Sequence, residues 1–542
     1  MNIMSQLRLI FFTALLSISC NIAWGEANPK LRKAQEILNG MGYKAGPSDG
    51  LWGKKTDTAL QQFYKLNNSV FDGVFDDNEL RFLIEIKENS LSLALKSKNK
   101  KLILKEDVNV EGRWRGLAIC NLDKEGWGGG EYEFGNGKFS GAIDFTIIKD
   151  WDDPTKRIFK KSNWLDYGGA SRYIKSFEIS KTKILFTDIF TNDEGERGMT
   201  WEGNLTSNNT LQINNEGTDC KAKLYRTEEI FFESHSPKNL LDYVDGIGND
   251  KKYIITGLLT FPEGNEEKYP LMMLIVNSGC GYNFRQFTYG VDIKNQGVAT
   301  LELDNCKSRD LSKSYPIGAG NGNILNPWMG AADALFALKF LQNHPKVDTD
   351  KVGITGFSWG GQVALWTGID LIRKSIVGDS LDFALRVPYY PFCRHFDNPK
   401  YSKNKLHIFV GELDAVPPKH CREMVNSFNE LGYDVSIDVY PGAYHNFDDP
   451  SWDAPPPQFN PRAWYVTDKC NLWIDSDHKR SWRLNDMRIE LDNYLDWDVT
   501  ANPFYWEYAL ECERSGVKYG RNDSAARQSA TKLVELINQY LK

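Results

Sequence analysis

The chain has 542 residues, more than one hydrophobic core can organise, so several domains are expected. A net charge of -7 and a pI near 5.7 argue against nucleic acid or an anionic membrane surface as partner. Apart from a rich aromatic content of 13%, with 16 Trp, the composition is that of an ordinary globular protein.

Residues 1–25 read as a signal peptide: Arg8 supplies the positive start, residues 9–18 the apolar run, and Ala23-Trp24-Gly25 a small-x-small cleavage site. The apolar run is too short to cross a bilayer comfortably, so no membrane span is expected. Ser17-Ile18-Ser19 ahead of Cys20 fits a lipobox poorly, which argues against a lipid anchor. Cleavage leaves eight cysteines, and an even number in an exported chain favours disulfides over buried free thiols. About 105 pairings are open. Joining cysteines within one predicted unit yields Cys120–Cys220, Cys280–Cys306, Cys393–Cys421 and Cys470–Cys512. No cysteine or histidine pair has zinc-ligand spacing, so neither a metal nor a cofactor is expected.

Residues 28–86 read as a small helical unit. Leu31, Ala34, Leu38 and Met41 form a helical stripe closed by Gly42, and Thr56, Ala59, Leu60 and Phe63 mark a second helical face. The turn between them, Gly46-Pro47-Ser48-Asp49-Gly50, contains Gly-x-Ser-x-Gly. No apolar strand precedes it and Pro-Ser-Asp-Gly is turn chemistry, so Ser48 is set aside as a nucleophile. The run Ala34-Gln35-x-x-Leu38-x-x-Met41-Gly42-Tyr43, then Gly46-Pro47-x-Asp49-Gly50-Leu51-Trp52-Gly53-x-x-Thr56-x-x-Ala59-Leu60-x-x-Phe63, resembles the peptidoglycan-binding-domain family. The resemblance covers nearly the whole unit and implies a three-helix module, with peptidoglycan as partner, that holds an exported enzyme near the cell wall. Asp49, Gly50 and Gly53 have turn-shaping duties and the apolar positions a core, so no ligand contact is assigned there. Residues 88–106, with Lys96, Lys98, Lys100 and Lys101, read as a linker or exposed helix whose charges face solvent.

Short alternating segments separated by Asn-Gly and Gly-Gly turns make residues 107–229 an antiparallel β unit, a sandwich or small barrel. Gly112-Arg113-Trp114-Arg115-Gly116 at its start is faintly similar to the opening of a lipocalin-type barrel.

From 237 to 542 strands and helices alternate, which predicts a mostly parallel sheet covered on both faces. Strands are expected at 253–259, 271–276, 298–303, 352–355, 384–388, 406–410 and 435–440, with helices at 331–341 and 525–540. The strand at 352–355 runs into Gly356-Phe357-Ser358-Trp359-Gly360-Gly361, and a helical segment follows at once. That is the context of a nucleophile elbow, where a serine on a strained turn stands proud of the sheet.

A serine hydroxyl needs a histidine to take its proton and a carboxylate to hold that histidine's tautomer. Both partners are sought after Ser358, at the carboxyl ends of later strands. His445 stands in such a loop, in Tyr440-Pro441-Gly442-Ala443-Tyr444-His445-Asn446-Phe447-Asp448. His407 lies inside a strand, and His395, His420 and His478 lack that placement. Asp414, in Gly411-Glu412-Leu413-Asp414-Ala415-Val416-Pro417-Pro418, lies just past a strand end, with Glu412 as the alternative. Asp448 follows the histidine too closely and reads as a loop residue.

These three motifs resemble the dienelactone hydrolase family of the α/β-hydrolase superfamily, over roughly residues 250–450 with a fitting terminal helix. The resemblance implies a serine-type hydrolase without a metal, with Trp359 and Cys280 as backbone oxyanion donors. Dienelactone hydrolases proper use cysteine as nucleophile, so Ser358 departs from that substrate class; Ser278-Gly279-Cys280-Gly281 departs from the His-Gly that related enzymes carry there. Residues 449–501, rich in Trp and Asp, form an insertion long enough for a lid or a substrate wall.

The reading is an α/β-hydrolase domain preceded by a small three-helix domain and an antiparallel β domain. Its expected function is that of an exported serine ester hydrolase with a small-molecule substrate. The alternatives are a prolyl-oligopeptidase-type peptidase, which shares the triad order, and a wall-binding protein whose hydrolase fold is inert.

Overall fold

The computed structural model describes residues 28–40, 43–66, part of 71–84, 110–119, most strand residues between 132 and 244, 251–280, 284–312, 325–449, 458–490 and 511–542, with one- or two-residue gaps at 265, 417, 477–478 and 485–486. The expected signal peptide, the lysine-rich segment, Cys120 and His478 lie outside them. The chain divides into two compact units, 1–104 and 105–542.

In the first unit α1 (Pro29–Gly40) and α2 (Lys54–Leu66) pack through the stripes expected from the sequence: Leu31, Ala34 and Leu38 are buried, as are Ala59, Leu60 and Phe63. Asn28 caps α1, its Oδ1 accepting from the Lys30 and Leu31 N–H groups. The intervening turn is tied from inside. Gln35 donates to the Leu51 carbonyl and Thr56 Oγ1 and accepts from the Gly50 N–H, while Asp49 Oδ1 accepts from Leu51 N–H. Helical residues recur at 79–81 and 83–84.

The second unit opens with ten strands: β1 (Gly112–Ile119), a small hairpin of β2 (Tyr132–Phe134) and β3 (Gly137–Phe139), β4 (Gly141–Lys149), β5 (Arg157–Lys160), β6 (Ser171–Ser180), β7 (Lys183–Asn192), β8 (Gly195–Ser207), β9 (Thr210–Asn215) and β10 (Lys221–His235). Neighbours in sequence pair antiparallel, and β1 returns to pair with β10, so the meander closes on itself except between β5 and β6, which share no pairing among the described residues. Alternate residues point inward, and Trp114, Ile143, Phe145, Phe186, Trp201, Leu211, Ile213 and Leu224 fill the interior. The antiparallel β unit is thus barrel-like, with a packed core.

The strand β10 outlasts the barrel. Its residues Thr227–His235 pair with β11 (Lys252–Thr260), so barrel and α/β region share one continuous sheet. Beyond β11 follow β12 (Tyr269–Ile275), α3 (Phe284–Asn295), β13 (Ala299–Asp304), α4 (Pro327–Leu341), β14 (Val347–Phe357), α5 (Trp359–Trp366), α6 (Asp370–Val377), β15 (Leu385–Tyr389), the two-residue β16 (His395–Phe396), β17 (Lys405–Gly411), α7 (Pro418–Glu430) and β18 (Val435–Tyr440). Spatial order is β11-β13-β12-β14-β15-β17-β18, parallel from β13 onward.

Unbroken apolar runs make these strands because both faces are covered. In β12, Leu271, Met273 and Ile275 join a core with α4, α5, α6 and α7, while Met272 and Leu274 face the core of α3 and α8 (Asp523–Tyr540). Within and after the expected insertion, β20 (Cys470–Ile474), β21 (Arg480–Leu484) and β22 (Met487–Glu490) extend β16 into a four-stranded sheet, and β19 (Gln458–Val466) pairs with β23 (Glu513–Tyr519). Disulfides join Cys280–Cys306, Cys393–Cys421 and Cys470–Cys512 as expected. Cys220 is also disulfide-bonded. No helix among the described residues is long and apolar enough to cross a membrane.

Candidate active site

Strand β14 stops at Phe357 and α5 starts at Trp359, leaving Ser358 alone at the bend with φ 55° and ψ -113°. A left-handed backbone in a non-glycine residue costs about 1–3 kcal/mol and persists only where the surroundings impose it. Here the Ser358 N–H donates to the Tyr389 carbonyl at 3.1 Å, and the helix that begins at the next residue fixes the other side. Ser358 Oγ stands 2.9 Å from His445 Nε2, and His445 Nδ1 lies 3.0 Å from both carboxylate oxygens of Asp414. The Asp414 carboxylate is buried and also accepts from the Val416 N–H at 2.9 Å. One line therefore runs hydroxyl, imidazole, carboxylate, drawn from three different strand ends.

The alternatives weighed in the sequence have other partners. Glu412 Oε2 accepts from the Gly442 N–H at 2.9 Å, so it braces the loop that carries His445. His407 contacts Ser436 Oγ (2.7 Å) and Asp438 Oδ2 (2.9 Å), both on the neighbouring strand β18. The ring of His395 lies against that of Trp473, tilted by 37°, and His420 faces the Thr467 carbonyl. The expected oxyanion donors fare differently. Trp359 N–H opens α5, beside Ser358. Cys280, at φ 58°, directs its N–H to the Asn277 carbonyl at 3.3 Å, and Gly279 N–H donates to Asn277 Oδ1 at 3.0 Å, so both close a turn on Asn277.

Residues 325–467 match the family model of the dienelactone hydrolases. The matched span carries Ser358, Asp414 and His445. Residues 27–83 match a second model, described as "Putative peptidoglycan binding domain". No curated protein matches the chain. Among solved structures, a dienelactone hydrolase-like promiscuous phosphotriesterase from metagenomic libraries is 13% identical, with 58% of this chain and 98% of that one covered and a TM-score of 0.31. Thermogutta terrifontis esterase 2 is 15% identical over 36% of this chain and 80% of that one, with a TM-score of 0.28. Est1E from Butyrivibrio proteoclasticus is 16% identical over 36% of this chain and 86% of that one, with a TM-score of 0.25.

One group of residues near the line was missed by sequence reasoning. Arg285 and Tyr289 of α3, Tyr390 after β15, and Asp448 form a buried polar cluster beside His445. Burial holds the phenols of Tyr289 and Tyr390 well above their ordinary value, hence protonated. Burial opposes the charge of Arg285, yet the carboxylates of Asp448 and Asp449 hold its guanidinium above the ordinary value. No spacing rule links residues this far apart; Tyr389-Tyr390 at a strand's carboxyl end is the one local signal.

Proposed function

We propose that the protein is an exported serine hydrolase that cleaves a carboxylic ester and is held near peptidoglycan by its N-terminal domain. The observation that carries this reading is the continuous 2.9 Å and 3.0 Å relay from Ser358 through His445 to Asp414. Ser358 Oγ attacks the ester carbonyl as His445 Nε2 takes its proton, and Asp414 holds the proton-bearing Nδ1 in place. The tetrahedral oxyanion receives the Trp359 backbone N–H at the start of α5. The loop of Gly279 and Cys280 supplies a second donor, the 3.3 Å bond of Cys280 N–H to Asn277 being weak enough to exchange. His445 then returns the proton to the leaving alcohol, and water, activated by the same imidazole, hydrolyses the acyl-enzyme.

Export rests on residues 1–25, on the disulfides and on the match to a peptidoglycan binding domain. In this reading the domains are 28–86, 107–229 and 237–542, with 449–501 as an insertion bordering the substrate. The test is a fluorophosphonate probe on the purified mature protein, followed by peptide mapping. The expected result is a single adduct on Ser358 that disappears in His445→Ala. An unlabelled wild-type protein refutes the reading. Ester and peptide substrates of equal size, assayed side by side, decide between esterase and peptidase.

A further inference from the structure

The imidazole of His445 is fixed at its two nitrogens only by contacts of about hydrogen-bond length, and the Asp414 contact is forked evenly between two oxygens. Such an arrangement leaves the ring free to rock about its Cβ–Cγ bond unless something flanks it. Tyr390 does so: its ring meets that of His445 edge-on, centroids 4.7 Å apart. The phenol is itself clamped. Its hydroxyl accepts from Arg285 Nη1 at 2.8 Å and donates to Asp448 Oδ1 at 2.5 Å. Neither anchor is loose. Asp448 also accepts from the Tyr289 hydroxyl at 2.9 Å, and the Arg285 guanidinium lies 4.9 Å over the Phe357 ring while pairing with Asp449. All these groups except Asp449 are at most 1% exposed. The clamp therefore spans α3, the end of β15 and the His445 loop, and it touches Phe357, the residue before the nucleophile.

The backbone points the same way. Tyr390 has φ 38°, a left-handed conformation that no turn glycine relieves, and it is held by its N–H donating to the Phe409 carbonyl at 2.6 Å. Such a conformation persists only where the surrounding structure imposes it.

We propose that Tyr390 is a positioning residue for His445, its hydroxyl clamped by Arg285 and Asp448 so that its ring keeps the imidazole aligned between Asp414 and Ser358. The inference rests on the role given to those three residues above. It assigns the hydroxyl a kinetic effect although it touches no substrate.

The experiment compares fluorophosphonate labelling rates of Ser358, and kcat and KM on a simple ester, in wild type, Tyr390→Phe and Ile537→Val. Tyr390→Phe keeps the ring and removes the clamp; Ile537 is a buried core residue of α8 that is no part of the clamp or the relay, and serves as a stability control. Tyr390→Phe is expected to lower labelling rate and kcat about tenfold, the scale of one hydrogen bond, with KM unchanged. Ile537→Val is expected to label at the wild-type rate despite a lowered thermal midpoint. If Tyr390→Phe labels as wild type does, or changes KM alone, the inference is wrong while the Ser358 reading stands. An unlabelled wild type overturns both. Should Tyr390→Phe fail to fold, Asp448→Asn is read in the same assay; its neutral amide oxygen accepts the phenol's bond more weakly than the carboxylate does, which is expected to cost about threefold in kcat at unchanged KM. A wild-type rate there overturns the clamp.

Discussion

A Cβ placed on Gly356 would stand 2.2 Å from the carbonyl oxygen of Gly360. The obstacle is backbone, on the first turn of α5, and cannot swing aside. At Gly353, earlier in β14, the same Cβ would meet only the ends of the Met272 and Leu541 side chains, at 2.9 and 3.0 Å. Gly356→Ala is therefore expected to destabilise the protein by about 3 kcal/mol or more and Gly353→Ala by about 1 kcal/mol, read from urea midpoints. Equal losses would mean that the elbow can spread.

Asp414 and Glu412 are two residues apart, but only one touches the imidazole. Asp414→Asn is expected to reduce kcat by about 10³–10⁴-fold, because the amide no longer selects the tautomer that leaves Nε2 free to accept a proton. Glu412→Gln keeps an acceptor for Gly442 and is expected to change kcat less than about threefold. Steady-state kinetics on one ester distinguishes them; a larger effect at Glu412 would reassign the acid.

Arg115 of β1 reaches out of the barrel and pairs with Glu302 of β13 at 2.7 Å, both side chains nearly fully buried. Removing one charge leaves the other without its main partner. Glu302→Ala is expected to lose about 3 kcal/mol, and adding Arg115→Met is expected to restore part of it. Thermal denaturation of the three variants measures the recovery; further loss in the double variant would contradict the pairing argument.

Burial pushes the imidazole of His407 below its ordinary value, against the opposing pull of Asp438. With the folded value depressed, the unfolded chain takes up the proton first as pH falls. Stability carried by neutral His407 is whole above about pH 6.5 and drains away below it. His407→Gln is expected to flatten the fall of the melting midpoint between about pH 6.5 and 5. A wild-type slope in the variant would place the sensitivity elsewhere.

The disulfide Cys280–Cys306 closes a separation of 26 residues between the ends of β12 and β13. Replacing both cysteines by serine is expected to lower stability by about 3 kcal/mol through the entropy of the unfolded chain. Urea unfolding at two protein concentrations, with mass spectrometry confirming the other bridges, checks it.

Where a residue's position is decided by its neighbours in sequence, that position is legible. Ser358 was marked by an apolar strand running into small residues, and Asp414 was preferred to Glu412 because it lies further past the end of β17. Pairing cysteines within predicted units matched the three bridges Cys280–Cys306, Cys393–Cys421 and Cys470–Cys512 because each spans one local excursion of the chain. Long-range choices left no such mark. The residues of β10 signal a strand but not its partners, so nothing in them shows that Thr227–His235 pairs with β11. The sheet around β16 was equally hidden, since β16 has two residues and takes its neighbours from beyond 470. Arg285, Tyr390 and Asp448 meet only because α3, β15 and the His445 loop converge. Nor does an N–H announce its acceptor: nothing in Ser278-Gly279-Cys280-Gly281 shows that Gly279 and Cys280 close a turn on Asn277.

The continuity of β10 has a mechanical meaning. Thr227–His235 and Lys252–Thr260 are laced in one antiparallel register, so a push on the barrel arrives at β11 as shear along a ladder of hydrogen bonds and not as the swing of a tether. Such a joint resists strongly and moves little. From the barrel to Ser358 the path then runs through paired strands alone, from β10 through β11, β13 and β12 to the end of β14.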